Sequence, residues 1–481
     1  MDSIFMVGLC ITIIIVIVTQ IIQIISKTSS KLEPPGKKGW PLIGETTTFV
    51  SCPMNFVVDR MRDHSTDVFQ TSLAGETMAI FCGPTSNKFI FSNELKLVRS
   101  WLPRSISKAL AQQNADPYSL SYKLADQVSH KFLKLDCIQQ YVGTMDSMVK
   151  QHLDEFWLPF DQVKVHPLAK EFTFELSCRI FVEFSNPSPE LIKQLRDPFF
   201  EFIEGIFSTP LNIPGMPYYK ALKKSALVQE KLFEIMEQRK IQLSDVEQQQ
   251  QQQDQVVYDR DLLGQFLMAT DEHGTSVRKE DVARVIVGFI FASFYTTSTT
   301  IAFVVYFLSK HPDIYEKVLQ EQMEIKKTKQ AGDLLTWADV QKMKYSWNVI
   351  CETMRLRPPA TGGYKEVITD FTYSGFNIPK GWKVHWSAYS TNMNPKYFPD
   401  PENFDPSRFE GSGPPPFTFV PFGGGPRMCT GKEYARMETL VFLHNLVTKF
   451  RFKMVNPNEK IFYNPDPVPA EGLHVYLQPN S

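Results

Sequence analysis

The segment Phe422-Gly423-Gly424-Gly425-Pro426-Arg427-Met428-Cys429-Thr430-Gly431 constrains this 481-residue chain more than any other. Three glycines and a proline exclude a regular element there, and apolar periodicity through Leu440, Leu443 and Val447 begins directly after it. Cys429 therefore opens a helix. A thiol among backbone N–H groups at a helix N-terminus is favoured as thiolate, the form that ligates a soft metal. The glycines let backbone approach the sulfur and a flat macrocycle closely, and Arg427 is placed to pair with a cofactor carboxylate. A buried free cysteine beside a Gly-rich turn is the plain alternative for any such residue taken alone. The other six cysteines are scattered and form no C-x-x-C pair, which argues against a disulfide scaffold and against a zinc site.

Charge excludes one class of partner. With 51 basic and 52 acidic residues the net charge is −1, so no global field draws in nucleic acid. Hydrophobic residues make up 43% of the chain, enough for a large buried core. The 37 phenylalanines suit an interior that holds something large and greasy.

From Ile4 to Ile25 the chain carries no charge and is dominated by Ile and Val. As a helix this run spans about 33 Å, enough for a hydrocarbon core of about 30 Å. A signal peptide needs a charged n-region and a small-residue cleavage site, and neither is present. Residues 1–26 are thus expected to be a retained membrane anchor. Asp2 precedes the run while Lys27, Lys31, Lys37 and Lys38 follow it, which places the bulk of the protein on the cytoplasmic side, in a eukaryote the cytosolic face of the endoplasmic reticulum. Residues 27–41, containing Pro34-Pro35-Gly36 and Gly39-Trp40-Pro41, read as a stiff linker, and 42–481 as one catalytic domain. The glutamine tract Gln248–Gln253, within Glu247–Gln255, reads as an exposed loop between two helices.

Helical patterns dominate the remainder, for example Tyr141–Trp157 and Leu222–Leu243. Asp333–Arg357 carries complete helix signals, with a Thr336/Asp339 capping box and a Pro358-Pro359 stop. Strand candidates are few: Val68–Ser72 with Met78–Cys82, then Phe371–Tyr373 and Lys383–Trp386. The expected fold class is mainly α with a small β-sheet region. Glu352 and Arg355 share a helical face at a spacing of three, ordinarily a solvated pair of small worth. The apolar stretch Val285–Leu308 contains Ala292-Ser293-Phe294-Tyr295-Thr296-Thr297, where hydroxyls that bond back to carbonyls can bend a helix and make room for a ligand.

The cysteine loop resembles that of the cytochrome P450 family, whose pattern F-x-x-G-x-R-x-C-x-G is matched at Phe422, Gly425, Arg427, Cys429 and Gly431. The resemblance implies the cytochrome P450 fold, preceded here by one transmembrane helix, and a heme b cofactor whose iron has the Cys429 thiolate as axial ligand. Glu352, Arg355 and Arg408, the last within Phe404-Asp405-Pro406-Ser407-Arg408-Phe409, resemble the family's buried Glu-Arg-Arg cluster, which implies a structural role in fold and haem retention. Lys365 stands where the family often has an Arg that meets a haem propionate; Lys keeps the charge and loses the bidentate geometry. No family-type haem arginine is evident between Trp101 and Tyr141, where Arg104, Lys123, Lys131 and Lys134 are loose candidates.

On the long helix Thr296 matches the family's oxygen-site alcohol, while Ser293 stands for its Gly and Tyr295 for its acid. A phenol with an unperturbed pKa near 10 gives up protons less readily than a carboxylic acid, so proton delivery is expected to rely on Thr296 and water. The resemblance is strongest to plant enzymes that oxidise cyclic triterpenes, through Gly39–Thr46, Met343–Asn348 and Ile378–Lys383. It implies hydroxylation of a hydrophobic terpenoid with O2 and electrons from an NADPH-dependent reductase, because the chain has no dinucleotide fingerprint of its own. Lys432, Arg436, Lys449 and Arg451 are candidates for docking that reductase. Phe289, Ala292, Ser293 and Thr361–Gly363 are candidate pocket residues, and Phe207–Tyr219 a candidate membrane-facing entrance. The altered Ser293 and Tyr295 also motivate a haem-thiolate isomerase or dehydratase as a rival, with a non-catalytic haem or lipid binder as a second.

Overall fold

The computed structural model describes residues 33–41, 43–110, 119–182, 189–249, 261–463 and 466–480. The anchor expected at 1–26 and the start of the linker lie outside the described residues. The long helices of the body include α1 (Leu120–Phe132), α2 (Val142–Phe156), α3 (Val165–Phe181), α4 (Pro189–Ile206), α5 (Pro217–Gln249), α6 (Lys279–Lys310), α7 (Lys344–Leu356) and α8 (Lys432–Lys449), with Pro312–Lys327 a further one. The Ser119 hydroxyl oxygen accepts from the Tyr122 N–H at 3.1 Å and so caps α1. Glu280 and Asp281 in the first turn of α6, with Lys310 in its last, suit its dipole. Glu247 to Gln249 are still helical as the end of α5; the rest of the glutamine tract lies outside the described residues.

Helix α6 runs through the centre of the core and packs chiefly along α3. By length and hydropathy it alone among the described helices could cross a membrane, but most of its apolar stretch is buried inside the protein. The segment Asp333–Arg357 is two helices, not one. The Thr336/Asp339 capping box starts a single turn, Trp337–Val340, and α7 begins separately at Lys344 and stops before Pro358.

A five-stranded sheet closes one side of the site. Its strands are β1 (Val68–Leu73), β2 (Glu76–Phe81), β3 (Val98–Ser100), β4 (Gly362–Val367) and β5 (Lys383–Ser387), in the order β1-β2-β5-β4-β3. β2 and β5 run parallel, with Met78 opposite Lys383, and the other neighbours are antiparallel. Strand β4 has no apolar alternation and begins Gly362-Gly363. Its register puts Gly363 against Trp386, and a Cβ on Gly362 would lie 1.9 Å from the Trp386 carbonyl oxygen. Phe371–Tyr373 pairs with Phe376–Ile378 as a separate hairpin.

Candidate active site around Cys429

The cysteine loop is held by its own backbone and by Phe91. The Cys429 N–H donates to the Phe422 carbonyl at 2.9 Å, which folds the loop back on itself. Gly425 has φ +71°, and a Cβ there would come within 2.3 Å of the Phe91 carbonyl oxygen; one on Gly424 would meet the Phe91 ring at 2.5 Å. These glycines therefore let the loop close on Phe91, while Gly423 and Gly424 also line the cavity. Gly431 precedes α8 at φ −85°, and a Cβ on it would find only the Cys429 Sγ, at 3.9 Å. Burial pushes the Cys429 thiol upward, and the Gly431 N–H opposes that shift. A thiolate here is thus stabilised best by a bound cation of its own.

Cys429 faces a cavity of about 600 Å³ that runs between α8, α6 and the sheet. Phe422, Gly424, Arg427, Cys429 and Gly431 line one side, and Phe289, Ala292, Ser293, Thr296 and Thr297 on α6 another. Trp101, Gly362, Gly363 and Trp386 also border it. Of the pocket residues expected from sequence, Thr361 is buried beside this wall without lining it. The volume lies in the range typical of cofactor and small-molecule sites.

Helical phase decides what α6 presents. Residues 289, 292, 293, 296, 297 and 300 form a stripe at four-residue spacing and reach the cavity. Thr296 Oγ1 donates to the Ala292 carbonyl at 2.8 Å and is accessible from the cavity. Ser293 Oγ donates to the Phe289 carbonyl at 2.7 Å and lies 2.6 Å from Ser177 Oγ on α3. Tyr295 is out of phase with this stripe. Its ring packs against Phe207 and Phe291, with centroids 5.9 and 5.7 Å away, and burial raises its phenol further. The reading of Tyr295 as a stand-in for the family acid is therefore corrected: it faces away from the reaction space.

Two cations border the cavity and each has a carboxylate of this chain at hand. Lys365 on β4 is buried, 2.7 Å from Glu94 and 3.1 Å from Ser100 Oγ. Arg427 is partly exposed and 3.9 Å from Asp126 on α1. Arg104, Lys123, Lys131 and Lys134 do not line the cavity. Glu94 and Asp126 carry no signal in the sequence, because they lie far along the chain from the groups they face.

Glu352, Arg355 and Arg408 meet behind the cavity. Arg355 makes two hydrogen bonds of 2.7 Å to the Glu352 carboxylate and donates further to the carbonyls of Asn392, Pro401 and Asn403. Arg408 Nε is 3.4 Å from Glu352, and the Asp405 N–H donates to Glu352 at 2.9 Å. Glu352 and Arg355 are fully buried. Burial pushes the Glu352 carboxyl up and Arg355 draws it back.

A soft sulfur donor on the cavity wall, a loop shaped around it, and two bordering cations fit a haem with its two carboxylates. The comparisons agree. Residues 34–471 match the cytochrome P450 family. The chain belongs to that family. It is 47% identical over 452 residues to beta-amyrin 6-beta-monooxygenase of Solanum lycopersicum and to beta-amyrin 28-monooxygenase of Panax ginseng, covering 93% of this chain and 92% of each relative. A beta-amyrin 28-monooxygenase of Solanum lycopersicum is 44% identical over 98% of both chains. Among solved structures, the retinoic acid bound cyanobacterial CYP120A1 superposes with a TM-score of 0.81 at 30% identity, over 94% of this chain and all of that one. Membership implies a haem-thiolate iron, and Cys429 is the one cysteine among the described residues that lines the cavity.

Proposed function

We propose that this protein is a haem-thiolate monooxygenase that inserts one oxygen atom from O2 into a C–H bond of a cyclic triterpene. The observation that carries the reading is the pairing of Cys429 with Thr296 across one cavity, in a chain whose relatives are named for oxidising beta-amyrin. Bound haem supplies the oxygen activation. The chain's own residues hold, orient and protonate. Cys429 would ligate the haem iron, Arg427 and Lys365 would offer charge to its carboxylates, and Thr296 would present a hydroxyl to the cavity where oxygen is bound.

A triterpene is nearly all hydrocarbon, so its transfer into an apolar cavity is favourable at about 25 cal/mol per Å² buried. Position is then chosen by shape. Relatives equally similar to this chain are named for carbon 6 and carbon 28, so the lining around Phe289, Ala292, Trp101 and Gly362–Gly363 is where the choice of carbon resides.

Electrons come from an NADPH-dependent reductase. Of the four cations considered for docking it, Arg436 is tied to Glu433, Lys449 to Asp154 and Arg451 to Glu316, which leaves Lys432 as the freest of them. Residues 1–26 anchor the protein in the endoplasmic reticulum membrane with the catalytic domain in the cytosol. The exposed apolar residues Trp40, Ile43, Leu211 and Ile213 support a membrane-facing side near the linker and Phe207–Tyr219.

Membranes containing the full chain and a plant reductase, given beta-amyrin, NADPH and isotopically labelled O2, are expected to yield a product one labelled oxygen heavier. A product without the label, or formed without reductase, would favour the isomerase or dehydratase instead.

A further inference from the structure

The corner of the cavity where β3 and β4 pair holds a closed set of three polar side chains. Ser100 lies opposite Lys365 in the register, and both line the cavity. Their strand neighbours Arg99 and Glu366 alternate to the other face of the sheet, where Glu366 is 2.6 Å from Arg99 and 2.9 Å from Lys383. On the cavity side Lys365 Nζ is 2.7 Å from one oxygen of Glu94 and 3.1 Å from Ser100 Oγ. Ser100 Oγ in turn donates to the other Glu94 oxygen at 3.4 Å. Glu94 and Lys365 are both buried, and Glu94 does not itself line the cavity.

The backbone is strained where it brings that carboxylate in. Glu94 stands in the turn between the helix Gly83–Ser92 and β3. The Leu95 N–H donates to the Val98 carbonyl at 2.7 Å and the Leu97 N–H to the Asn93 carbonyl at 2.9 Å. Closing the turn in this way puts Leu95 at φ +66°, a left-handed conformation uncommon for a side chain of that size, and leaves the Leu95 side chain exposed. Burial of Leu95 therefore does not hold the strained turn; its hydrogen bonds and the Glu94 ion pair do. Strain of this kind persists where the surroundings over-determine it, and ligand sites are such places.

An ammonium group has three N–H donors. Two of those on Lys365 are taken by Glu94 and Ser100, which leaves one for whatever fills the cavity, and its charge is already matched. We propose that Glu94 is a counter-ion that competes with a haem carboxylate for Lys365 and so sets the charge felt by the bound haem. The inference rests on the haem reading of this cavity. With Glu94 in place the corner is neutral overall and meets a haem carboxylate with one shared N–H instead of a free positive charge. Positive charge beside a haem favours its reduced form by Coulomb attraction; Glu94 cancels that pull here and favours the oxidised form. Glu94 acts through Lys365 and is a positioning residue, distinct from the groups that touch haem or substrate.

The test uses full-length, haem-loaded protein without substrate. It reads the haem reduction potential by spectroelectrochemical titration and the rate of haem transfer to a haem-scavenging apoglobin. Glu94→Gln keeps the shape and removes the negative charge; its potential is expected to rise, and haem to leave at least about fivefold more slowly. Lys365→Met leaves the Glu94 charge unmatched and is expected to lower the potential and speed haem loss. The double variant, neutral at this corner like the wild type, is expected to bring the potential back towards the wild-type value. A Glu94→Gln potential that is unchanged or lower overturns the proposal, and so does a double variant as low as Lys365→Met. A Glu94 that only supports the turn would lower stability and haem content without ordering the potentials by charge. Wild type that binds no haem overturns the haem reading and this inference with it. Should Glu94→Gln fail to take up haem, Lys365→Met and the double variant decide: a higher potential in the double variant supports the counter-ion, and equal potentials overturn it.

Discussion

Arg355 holds three separated stretches of chain to one buried carboxylate, since it bonds Glu352 and the carbonyls of Asn392, Pro401 and Asn403. Removing it would strand the Glu352 charge in the interior and leave those carbonyls without their donor. Arg355→Ala is expected to cost about 3–5 kcal/mol, visible as a lower urea midpoint and loss of bound haem in parallel. The same pair on a solvated helix surface would be worth only about 0.3–0.5 kcal/mol. Spacing made Glu352 and Arg355 readable as partners, but only burial gives the pair its weight, and burial depends on a loop some fifty residues further on.

At the scale of elements, the loop before α8 separates two kinds of glycine. Gly425 has a left-handed φ and backbone 2.3 Å from where a Cβ would sit, whereas Gly431 has an ordinary φ and its nearest neighbour at 3.9 Å. Gly425→Ala is therefore expected to displace the loop from Phe91 and to lower haem content well below wild type. Gly431→Ala is expected to fold with haem content near wild type, as read by haem extraction and absorbance. Equal losses in both would contradict this account of the loop. Helix α6 teaches a related lesson. Its residues were legible one by one, and helical phase applied to the sequence would have placed 292, 293, 296, 297 and 300 on one stripe and Tyr295 off it. Strand β4 was not legible, because its opening glycines and its Lys-Glu pair carry no period-two signal; it exists through pairing with β5 and β3.

For the whole molecule, acid stability follows from buried imidazoles. Burial lowers His152, His385 and His444 to about 4 and His166 to about 3, from an ordinary 6.5. The unfolded chain takes up protons below pH 6.5 that the folded chain refuses until near pH 4, so stability falls as pH drops through that window. Each imidazole contributes at most about 3–5 kcal/mol to the loss. Glu438 on α8 works in the opposite sense: burial raises its carboxyl, so the folded state holds a proton that the unfolded chain releases above the ordinary carboxylate range. Chemical denaturation of the haem-free protein between pH 4 and 8 is expected to show the decline on the acid side. The family was legible because its cysteine loop sets several residue types within ten positions. The contact of Ser177 on α3 with Ser293 on α6 was not, since the two stand more than a hundred residues apart and meet only through the packing of their helices.

Cys429 is proposed as the thiolate ligand of a haem iron. That role is tested most directly by the difference spectrum of reduced membranes with and without carbon monoxide, for wild type and Cys429→Ser. The account predicts the displaced Soret band of a thiolate-ligated CO complex in wild type and its absence in the variant. The same band in both, or folded wild type without a haem band, would contradict it.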